Sequence, residues 1–241
     1  TDCFFELLVK PRDPAAVEAL FNAVAPRYDR LNDLLSLGLH RQWKRQLLSW
    51  LSPQPRERWL DLCCGTGDLA LALARKLRPD GSVLGLDAAA APLTLAAERA
   101  GREPWLPVQW IQADALETGL PDQDFDGVVM AYGLRNLADP FLGFKEMARV
   151  LKPAGRAAVL DFNRLPEGSA AAAFQRTYLR RVVVPVAAGM GLADQYAYLE
   201  TSVEQFLTGA EQERQAVAAG FTAAQHRRLV GGQMGVLLLI R

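Results

Sequence analysis

The stretch that decides the fold is Trp59-Leu60-Asp61-Leu62-Cys63-Cys64-Gly65-Thr66-Gly67-Asp68-Leu69-Ala70. It starts as an apolar run typical of a buried strand and passes, through two glycines, into a pattern typical of a helix. Glycines at such a junction let the backbone turn sharply and come close to a bound molecule, and the N-terminus of the following helix attracts negative groups. The stretch therefore predicts a strand–loop–helix unit that binds a nucleotide-like ligand.

Three aspartates follow three successive predicted strands. Asp61 lies four residues before the first glycine of the loop, Asp87 ends the next strand, and Asp114 follows the one after. The glycine spacing also fits a dinucleotide site, yet the carboxylate of Asp61 would repel a pyrophosphate. S-adenosylmethionine instead offers cationic groups to Asp61, ribose hydroxyls to Asp87 and an adenine amino group to Asp114; helix or turn capping is the alternative for each. The candidate cofactor-binding residues here are Asp61, Gly65, Thr66, Gly67, Asp87, Asp114 and Ala115.

Composition and charge exclude several classes of protein. The 241 residues are 50% hydrophobic and 22% charged, as in an ordinary soluble protein. Lys+Arg and Asp+Glu both number 27, so the excess of positive charge that nucleic-acid binding requires is missing. Three cysteines, two of them adjacent, predict neither a disulfide framework nor a zinc site. With no signal-peptide pattern and no apolar run of spanning length, we expect a cytoplasmic protein without nucleic-acid partners or a metal.

Short apolar runs alternate with helical patterns from residue 58 onward, which predicts an α/β fold with helices on both faces of a parallel sheet. The predicted strands are 58–63, 82–87, 108–112, 125–131 and 156–162, followed by an antiparallel hairpin of 222–229 and 233–240. This terminal hairpin argues against the second mononucleotide-binding half of a nicotinamide enzyme. We predict a single domain, 1–241, with a helical N-terminal extension at 1–55 and an insertion at 163–207.

These motifs together resemble class I S-adenosylmethionine-dependent methyltransferases over about residues 56–241. The resemblance implies a Rossmann-like sheet of seven strands whose last two form the hairpin, with S-adenosylmethionine as the cofactor. The N-terminal extension is similar to the leading motif of the ubiquinone/menaquinone-biosynthesis C-methyltransferases. The positions that carry this similarity are Phe21-Asn22, Ala25-Pro26, Tyr28-Asp29, Asn32-Asp33, Ser36, Gly38, His40-Arg41 and Trp43-Lys44.

Two further stretches match that family, with some departures. They are Tyr132-Gly133-Leu134-Arg135-Asn136 and the run from Arg149 to Asn163. Leu31 stands where the family usually has methionine, Ala154 replaces glycine, Asp161 replaces glutamate and Asn163 replaces serine. These changes leave the family resemblance intact and put the contribution of Asp161 and Asn163 in doubt.

The branch of the family is indicated by five short stretches. Residues 62–65, 132–136, 161–162, 195–198 and 230–236 resemble the cyanobacterial and plastid members, which methylate demethylphylloquinone. The resemblance implies C-methylation of a reduced prenylated naphthoquinone, demethylphylloquinol to phylloquinol, as the last step of phylloquinone biosynthesis. The alternatives are a methyltransferase acting on demethylmenaquinone, a ubiquinone precursor or another lipophilic ring such as a tocopherol precursor, and a non-catalytic protein that binds a quinone or S-adenosylmethionine.

The chemistry requires positioning of the quinol, help in removing a phenolic proton and exclusion of water. The predicted catalytic residues are Arg135, Asn136, His40 and Asp29, and Tyr28 is predicted to close the cofactor pocket together with Asp29. Alternatives are a structural salt bridge for Arg135, a helix-capping role for His40 and simple packing for the pair at 28–29. We expect Lys44 to be a solvated helix charge and His226 to be a surface residue.

The insertion is predicted to cover the acceptor and its long isoprenoid tail. Its candidate substrate-binding residues are Tyr178, Tyr196 and Tyr198, with ordinary core packing as the alternative. Arg180 and Arg181 beside an apolar run suit peripheral contact with a membrane that holds the lipophilic naphthoquinol. A homodimer is the expected oligomeric state.

Overall fold

The computed structural model of the chain describes residues 12–25, 33, 36, 38–166, 168–183, 185, 189 and 193–241, and for 183 and 193–197 only the backbone. The strands are β1 Arg58–Leu62, β2 Ser82–Asp87, β3 Val108–Gln112, β4 Phe125–Ala131, β5 Leu151–Phe162, β6 Ala223–Leu229 and β7 Met234–Ile240. The α-helices are α1 Pro14–Val24, α2 Leu39–Leu51, α3 Asp68–Lys76, α4 Ala90–Ala100, α5 Pro140–Val150, α6 Ala170–Tyr178, α7 Ala193–Glu204 and α8 Gly209–Ala218. Short turns of helix cover Leu134–Asn136, Leu179–Val183 and Val230–Gly232.

All seven strands form one sheet in the order β3-β2-β1-β4-β5-β7-β6. The first five strands pair in parallel, whereas β7 runs antiparallel to both β5 and β6. The predicted α/β class, the seven strands and the terminal hairpin are confirmed. β2 pairs with one side of β1 and β4 with the other, so the strand order reverses at β1. The carboxyl ends of β1 and β4 therefore border the point where ligands bind in such sheets.

Alternation along β1 divides the core into two layers. Trp59 packs toward α2 and α3 with Leu47 and Leu73, while Leu60 and Leu62 pack on the opposite face. Asp61 shares the face of Trp59 because successive strand residues point to opposite sides. The one charged residue of the strand's buried part is therefore directed toward the helices of the amino-terminal half.

Strand ends differ from prediction where the backbone changes conformation. β1 ends at Leu62, one residue early, because Cys63 has a φ of 58° and leaves the strand. β5 begins at Leu151, five residues early, and includes Ala154 at a φ of 61° and a register shift opposite Phe125 and Gly127. The division into an extension at 1–55 and an insertion at 163–207 stays a prediction, since parts of both lie outside the described residues.

Candidate active site

A cavity of about 460 Å³ lies at the carboxyl ends of β1, β2, β3 and β4. The loops that follow these strands form its floor and sides, and helix α1 closes it from the amino-terminal extension. The two central loops touch each other, because a Cβ on Gly133 would lie 2.7 Å from the Cβ of Cys63. The strand order thus brings the glycine-rich loop and the turn after β4 into one site.

The glycine-rich loop has the sharp turns that its sequence predicts. Gly65 and Gly67 have φ angles of 54° and 82°, in the left-handed region where a side chain is disfavoured. A Cβ on Gly67 would also approach the ring of Trp110 to 2.6 Å. Helix α3 begins directly after Gly67, so its N-terminus is presented at this loop.

Asp61 is the most constrained of the predicted cofactor residues. It is 1% exposed, and its Oδ2 has no hydrogen-bond partner among the described residues. Burial raises its pKa to about 7, while the charge of Lys44 and the backbone N–H of Ala70 act in the opposite direction. A buried carboxylate with an unused oxygen is a fitting partner for an ammonium group, so its chemistry fits the amino-acid end of S-adenosylmethionine, although Asp61 does not belong to the described lining of the cavity.

Asp87 and Asp114 border the cavity, as the strand-end argument expects. Asp87 accepts backbone hydrogen bonds from Gly65 at 2.8 Å and from Ala89 at 3.0 Å, and burial raises its pKa. Asp114 accepts one from Leu116 at 2.8 Å. Each carboxylate therefore shapes a loop and keeps lone pairs for a ligand hydroxyl or amino group. Three further predicted cofactor residues, Gly65, Thr66 and Ala115, also line the cavity.

Helix α1 supplies a wall of the cavity that we did not predict. Val17 and Phe21 line the cavity, and Leu20 and Val24, which belong to the same apolar stripe of the helix, are buried. The Oδ1 of Asn22 accepts a hydrogen bond from the backbone of Ala91 at 2.9 Å, which fastens α1 to the first turn of α4.

On the acceptor side, Arg135 is held in a buried ion pair. Its Nη1 donates to Asp161 Oδ1 at 2.7 Å and to the carbonyl of Tyr132 at 2.8 Å, and its backbone N–H donates to Asp161 Oδ2 at 3.2 Å. Both side chains are less than a tenth exposed. Among the described residues, those lining the cavity include Asn136 but not Arg135. The predicted salt bridge of Arg135 is therefore present, and the geometry leaves its catalytic role a prediction.

Asn136 connects the cavity to helix α7. Its Nδ2 donates to the carbonyl of Tyr132 at 2.9 Å, and its Oδ1 accepts from the hydroxyl of Tyr198 at 2.8 Å. Burial raises the pKa of Tyr198, so its hydroxyl stays a neutral donor. The second N–H of the Asn136 amide has no partner among the described residues, and Asn136 lines the cavity. Sequence reasoning named both residues but did not predict their contact.

His40 and Lys44 project from the same face of α2. His40 is 2% exposed, and its Nε2 lies 2.9 Å from Asp33 Oδ1; burial is the largest cause of its lowered pKa. Lys44 Nζ lies 3.4 Å from Asp68 Oδ2 and 5.9 Å from the ring centre of Tyr132, with its side chain 14% exposed. The expectation of a solvated charge at Lys44 is wrong, because the packing of α2 on α3 encloses it.

The other predicted residues are distributed as follows. The half-buried ring of Tyr178 stacks on Phe174 with ring centres 6.1 Å apart, and Tyr178 does not belong to the described lining of the cavity. Tyr28, Asp29 and the side chain of Tyr196 lie outside the described residues.

His226 is half-buried in β6, so the expectation of a surface residue is wrong. Its backbone N–H donates to Glu213 at 2.6 Å. A Cβ added to Gly209 would lie 2.6 Å from the Nδ1 of His226, and one added to Gly235 would lie 2.2 Å from its Nε2. Two glycines therefore make room for the ring between α8 and β7.

Neither a metal-binding cluster nor a membrane-spanning helix occurs among the described residues. Across these ranges, no three His, Cys, Asp or Glu side chains are grouped so that they could hold a metal ion. No described helix combines the length and the apolar character needed to cross a membrane.

Comparison with known proteins gives consistent matches. A family model described as "ubiE/COQ5 methyltransferase family" matches residues 9–238. The chain is 46% identical to the 2-phytyl-1,4-naphtoquinone methyltransferase of Synechococcus elongatus over 94% of this chain and 97% of that one. It is 45% identical to the chloroplastic 2-phytyl-1,4-beta-naphthoquinone methyltransferase of Arabidopsis thaliana over 92% and 86%.

A solved structure supports the fold. A SAM-dependent methyltransferase from Aquifex aeolicus superposes with a TM-score of 0.62 at 16% identity, covering 95% of this chain and 98% of that one. The family model accounts for nearly the whole length, and the strand order, the glycine loop and the aspartates at the strand ends agree with it. The chain therefore belongs to the ubiE/COQ5 methyltransferase family.

Proposed function

We propose that the protein methylates a ring carbon of a reduced prenylated naphthoquinone, demethylphylloquinol to phylloquinol, with S-adenosylmethionine as the methyl donor. This is the last step of phylloquinone biosynthesis. Support for the acceptor comes from relatives that are 43–46% identical and carry the name 2-phytyl-1,4-naphtoquinone methyltransferase. The observation that carries the proposal is the single cavity that has Asp87 and Asp114 on one side and Asn136 on the other.

We assign the cofactor side of the cavity to the residues that follow β1, β2 and β3. Asp61 has the unpartnered oxygen for the ammonium, Asp87 is assigned to the ribose and Asp114 to the adenine. The remaining loop contacts come from Gly65, Thr66, Gly67 and Ala115. When bound, the cofactor supplies an electrophilic methyl group on its sulfonium.

The chain's own contribution is to orient a nucleophilic carbon. A naphthoquinone ring is electron-poor, whereas a quinol that loses a phenolic proton carries electron density on the neighbouring ring carbon. The free N–H of Asn136 can donate to that phenolate oxygen and stabilise it. We assign Asn136 as the group nearest the acceptor, and Arg135 as a positioning residue that holds the carbonyl of Tyr132, to which Asn136 also donates.

We assign proton removal and the exclusion of water to the amino-terminal part of the chain. Burial lowers the pKa of His40, so its ring is neutral at pH 7, and its Nδ1 has no hydrogen-bond partner among the described residues. A neutral imidazole is a suitable proton acceptor, and Asp29 is the other predicted one. Apolar side chains of α1 shield the cavity from solvent, which favours charge stabilisation inside it.

The acceptor's tail implies where the protein works. A phytylated quinol resides in a membrane, so we propose a cytoplasmic protein that reaches this membrane by peripheral contact. A homodimer remains part of the proposal, and light scattering of the purified chain tests it. Tyr198, through Asn136, is a described insertion residue that links to the acceptor cavity, whereas Tyr178 stacks on Phe174 away from the cavity lining.

The test is methyl transfer from labelled S-adenosylmethionine to three acceptors: chemically reduced demethylphylloquinol, the oxidised quinone and a demethylated ubiquinone precursor. We expect label in the naphthoquinol ring and only under reducing conditions. Label in the ubiquinone precursor alone would move the protein to that alternative. Cofactor binding without transfer to any acceptor would favour a non-catalytic binding protein.

A further inference from the structure

Helix α6 and the helical turn after it differ in charge from the rest of the molecule. Residues 170–182 contain three arginines and no acidic residue, in a chain whose formal net charge is zero. Arg176, Arg180 and Arg181 are all exposed. Glu200 of α7 neutralises Arg180 at 2.7 Å, while Arg176 and Arg181 form no ion pair within the described ranges. Positive charge is therefore concentrated in this segment of the chain.

The same segment exposes apolar side chains. Phe174 is 62% exposed, more than any other large apolar residue in the described part of the chain, and Val182 is 46% exposed. Tyr178 lies between them in sequence, and its ring stacks on Phe174 with an angle of 12° between the ring planes. A spacing of four residues keeps the three side chains on one side of the helix. We call this surface, with Arg181, the α6 face; Arg176, two residues from both aromatic side chains, lies on the opposite side of the helix.

The α6 face lies near the carboxyl ends of the parallel strands, the end of the sheet that carries the active site. Gln175 Nε2 donates to the carbonyl of Asn163 just after β5, and Gln233 Nε2 donates at 3.1 Å to the carbonyl of Ala171. These contacts fix α6 beside the start of β7, where Val230 is 49% exposed. Arg180 then links the segment to α7, which contacts the cavity through Tyr198.

We propose that the α6 face docks on the surface of a lipid bilayer that contains anionic headgroups. Exposed aromatic and branched apolar side chains enter the boundary between headgroups and acyl chains, and arginines beside them are attracted to anionic lipids. Docking here brings the end of the sheet that holds the acceptor site to the bilayer, where a phytylated quinol resides. The identification of a bilayer as the partner rests on the proposed function, since it follows from a lipid acceptor.

The experiment is sedimentation of the full chain with neutral phosphatidylcholine vesicles and with vesicles containing added phosphatidylglycerol. We expect binding to the anionic vesicles that weakens as salt is raised. Phe174→Asp lowers the partition coefficient about tenfold or more because it removes the apolar anchor and adds a negative charge. Arg181→Gln lowers it about fivefold.

Trp105→Asp is the matched control, because Trp105 is 59% exposed and lies in the loop before β3 rather than on the α6 face. We expect its vesicle binding to equal that of the unaltered chain. Equal binding by the Phe174 and Trp105 variants overturns the proposal. A changed molecular mass of the Phe174→Asp variant in solution without lipid, together with unchanged vesicle binding, also overturns the proposal. The α6 face would then be the interface with a second copy of the chain.

Methyl transfer to a short-tailed quinol in solution separates this proposal from the proposed function. We expect Phe174→Asp to keep that activity while losing activity on acceptor embedded in vesicles. A chain that binds anionic vesicles through the α6 face but methylates no quinol leaves the docking surface standing and contradicts the function. A chain that methylates the soluble quinol but never binds vesicles contradicts docking alone.

Discussion

The cofactor side and the acceptor side of the cavity hold their polar groups in different ways. On the cofactor side, Asp61 is buried with an oxygen that has no partner in the described part of the chain. On the acceptor side, Arg135, Asp161, Asn136 and Tyr198 are joined to one another by hydrogen bonds of 2.7 to 3.2 Å with the carbonyl of Tyr132. We propose that a cationic ligand completes the first side, whereas hydrogen bonds within the chain already organise the second.

The largest effect is expected from breaking the acceptor-side ion pair. Asp161→Ala leaves the guanidinium of Arg135 buried without its carboxylate. Removing one partner of a buried pair costs about 3–5 kcal/mol of unfolding free energy. Urea denaturation monitored by circular dichroism measures the change.

An exposed ion pair provides the control for that prediction. Asp122 pairs with Arg149 at the surface, where its side chain is 72% exposed. Exposed pairs contribute about 0–1 kcal/mol, so Asp122→Ala should change stability little. Equal losses in the two variants would contradict the view that the acceptor side is internally organised.

The next effect tests the cofactor side. Asp61→Asn removes the charge assigned to the ammonium and should weaken S-adenosylmethionine binding by about 2–3 kcal/mol, roughly 30- to 150-fold in Kd. The same change should stabilise the cofactor-free protein at pH 8, because it removes a buried charge that forms no ion pair within the described residues. Calorimetric titration and thermal unfolding give the two values.

Asp114→Asn is the matched control on the same side of the cavity. Asp114 borders the cavity and keeps its hydrogen bond from Leu116 if an amide oxygen replaces the carboxylate oxygen. We expect a loss of affinity below about tenfold, as for one neutral hydrogen bond. If Asp114→Asn lowered the affinity for S-adenosylmethionine as much as Asp61→Asn, the difference in burial between the two aspartates would not determine their contribution to binding.

These two sides were not equally accessible to prediction from sequence. The strands at 82–87, 108–112 and 125–131 have the predicted bounds, because short apolar runs between turn signals define them locally. The aspartates after them meet at one edge because parallel strands end on the same side of a sheet. The placement of the cofactor side thus follows from local pattern and topology.

The acceptor side depends on contacts between distant parts of the chain. Asn136 and Tyr198 are 62 residues apart, and Arg135 and Asp161 are 26 apart. No periodicity specifies such pairs, since they arise only when α7 and β5 pack beside the turn after β4. The same reason explains why the sequence did not indicate the enclosure of Lys44 or the position of Tyr178 away from the cavity lining.

A smaller effect is expected from loosening the link between α7 and the cavity. Tyr198→Phe removes the donor to Asn136 Oδ1 and leaves a buried amide oxygen unpaired, which costs about 1–2 kcal/mol. If Asn136 orients the acceptor, kcat should fall about tenfold while the Kd for S-adenosylmethionine stays unchanged. Steady-state kinetics and calorimetry separate the two quantities.

Ser202→Ala controls for a general loss of α7 structure. Ser202 is 2% exposed on the same helix, and its hydroxyl donates to the carbonyl of Leu199 at 2.9 Å, away from the cavity. We expect its kcat to match that of the unaltered chain. A fall in both variants would assign the effect to α7 packing rather than to the orientation of Asn136.

The smallest effect is the pH dependence of cofactor binding. The pKa of Asp61 is about 7, and a cation binds its deprotonated form, so affinity should rise about tenfold from pH 6 to pH 8 with release of a proton. The raised pKa has the opposite effect on folding: the stability that Asp61 contributes without cofactor is full below pH 3.8 and is lost as the pH passes 7. Burial keeps the thiols of Cys63 and Cys64 protonated between pH 6 and pH 8 and lowers the pKa of His40 from its usual 6.5.

Calorimetry in two buffers of different ionisation enthalpy measures the proton that is released on cofactor binding, and Asp61→Asn should abolish this release. A proton still released by that variant would assign the titration to another group and remove the distinction drawn between the two sides of the cavity.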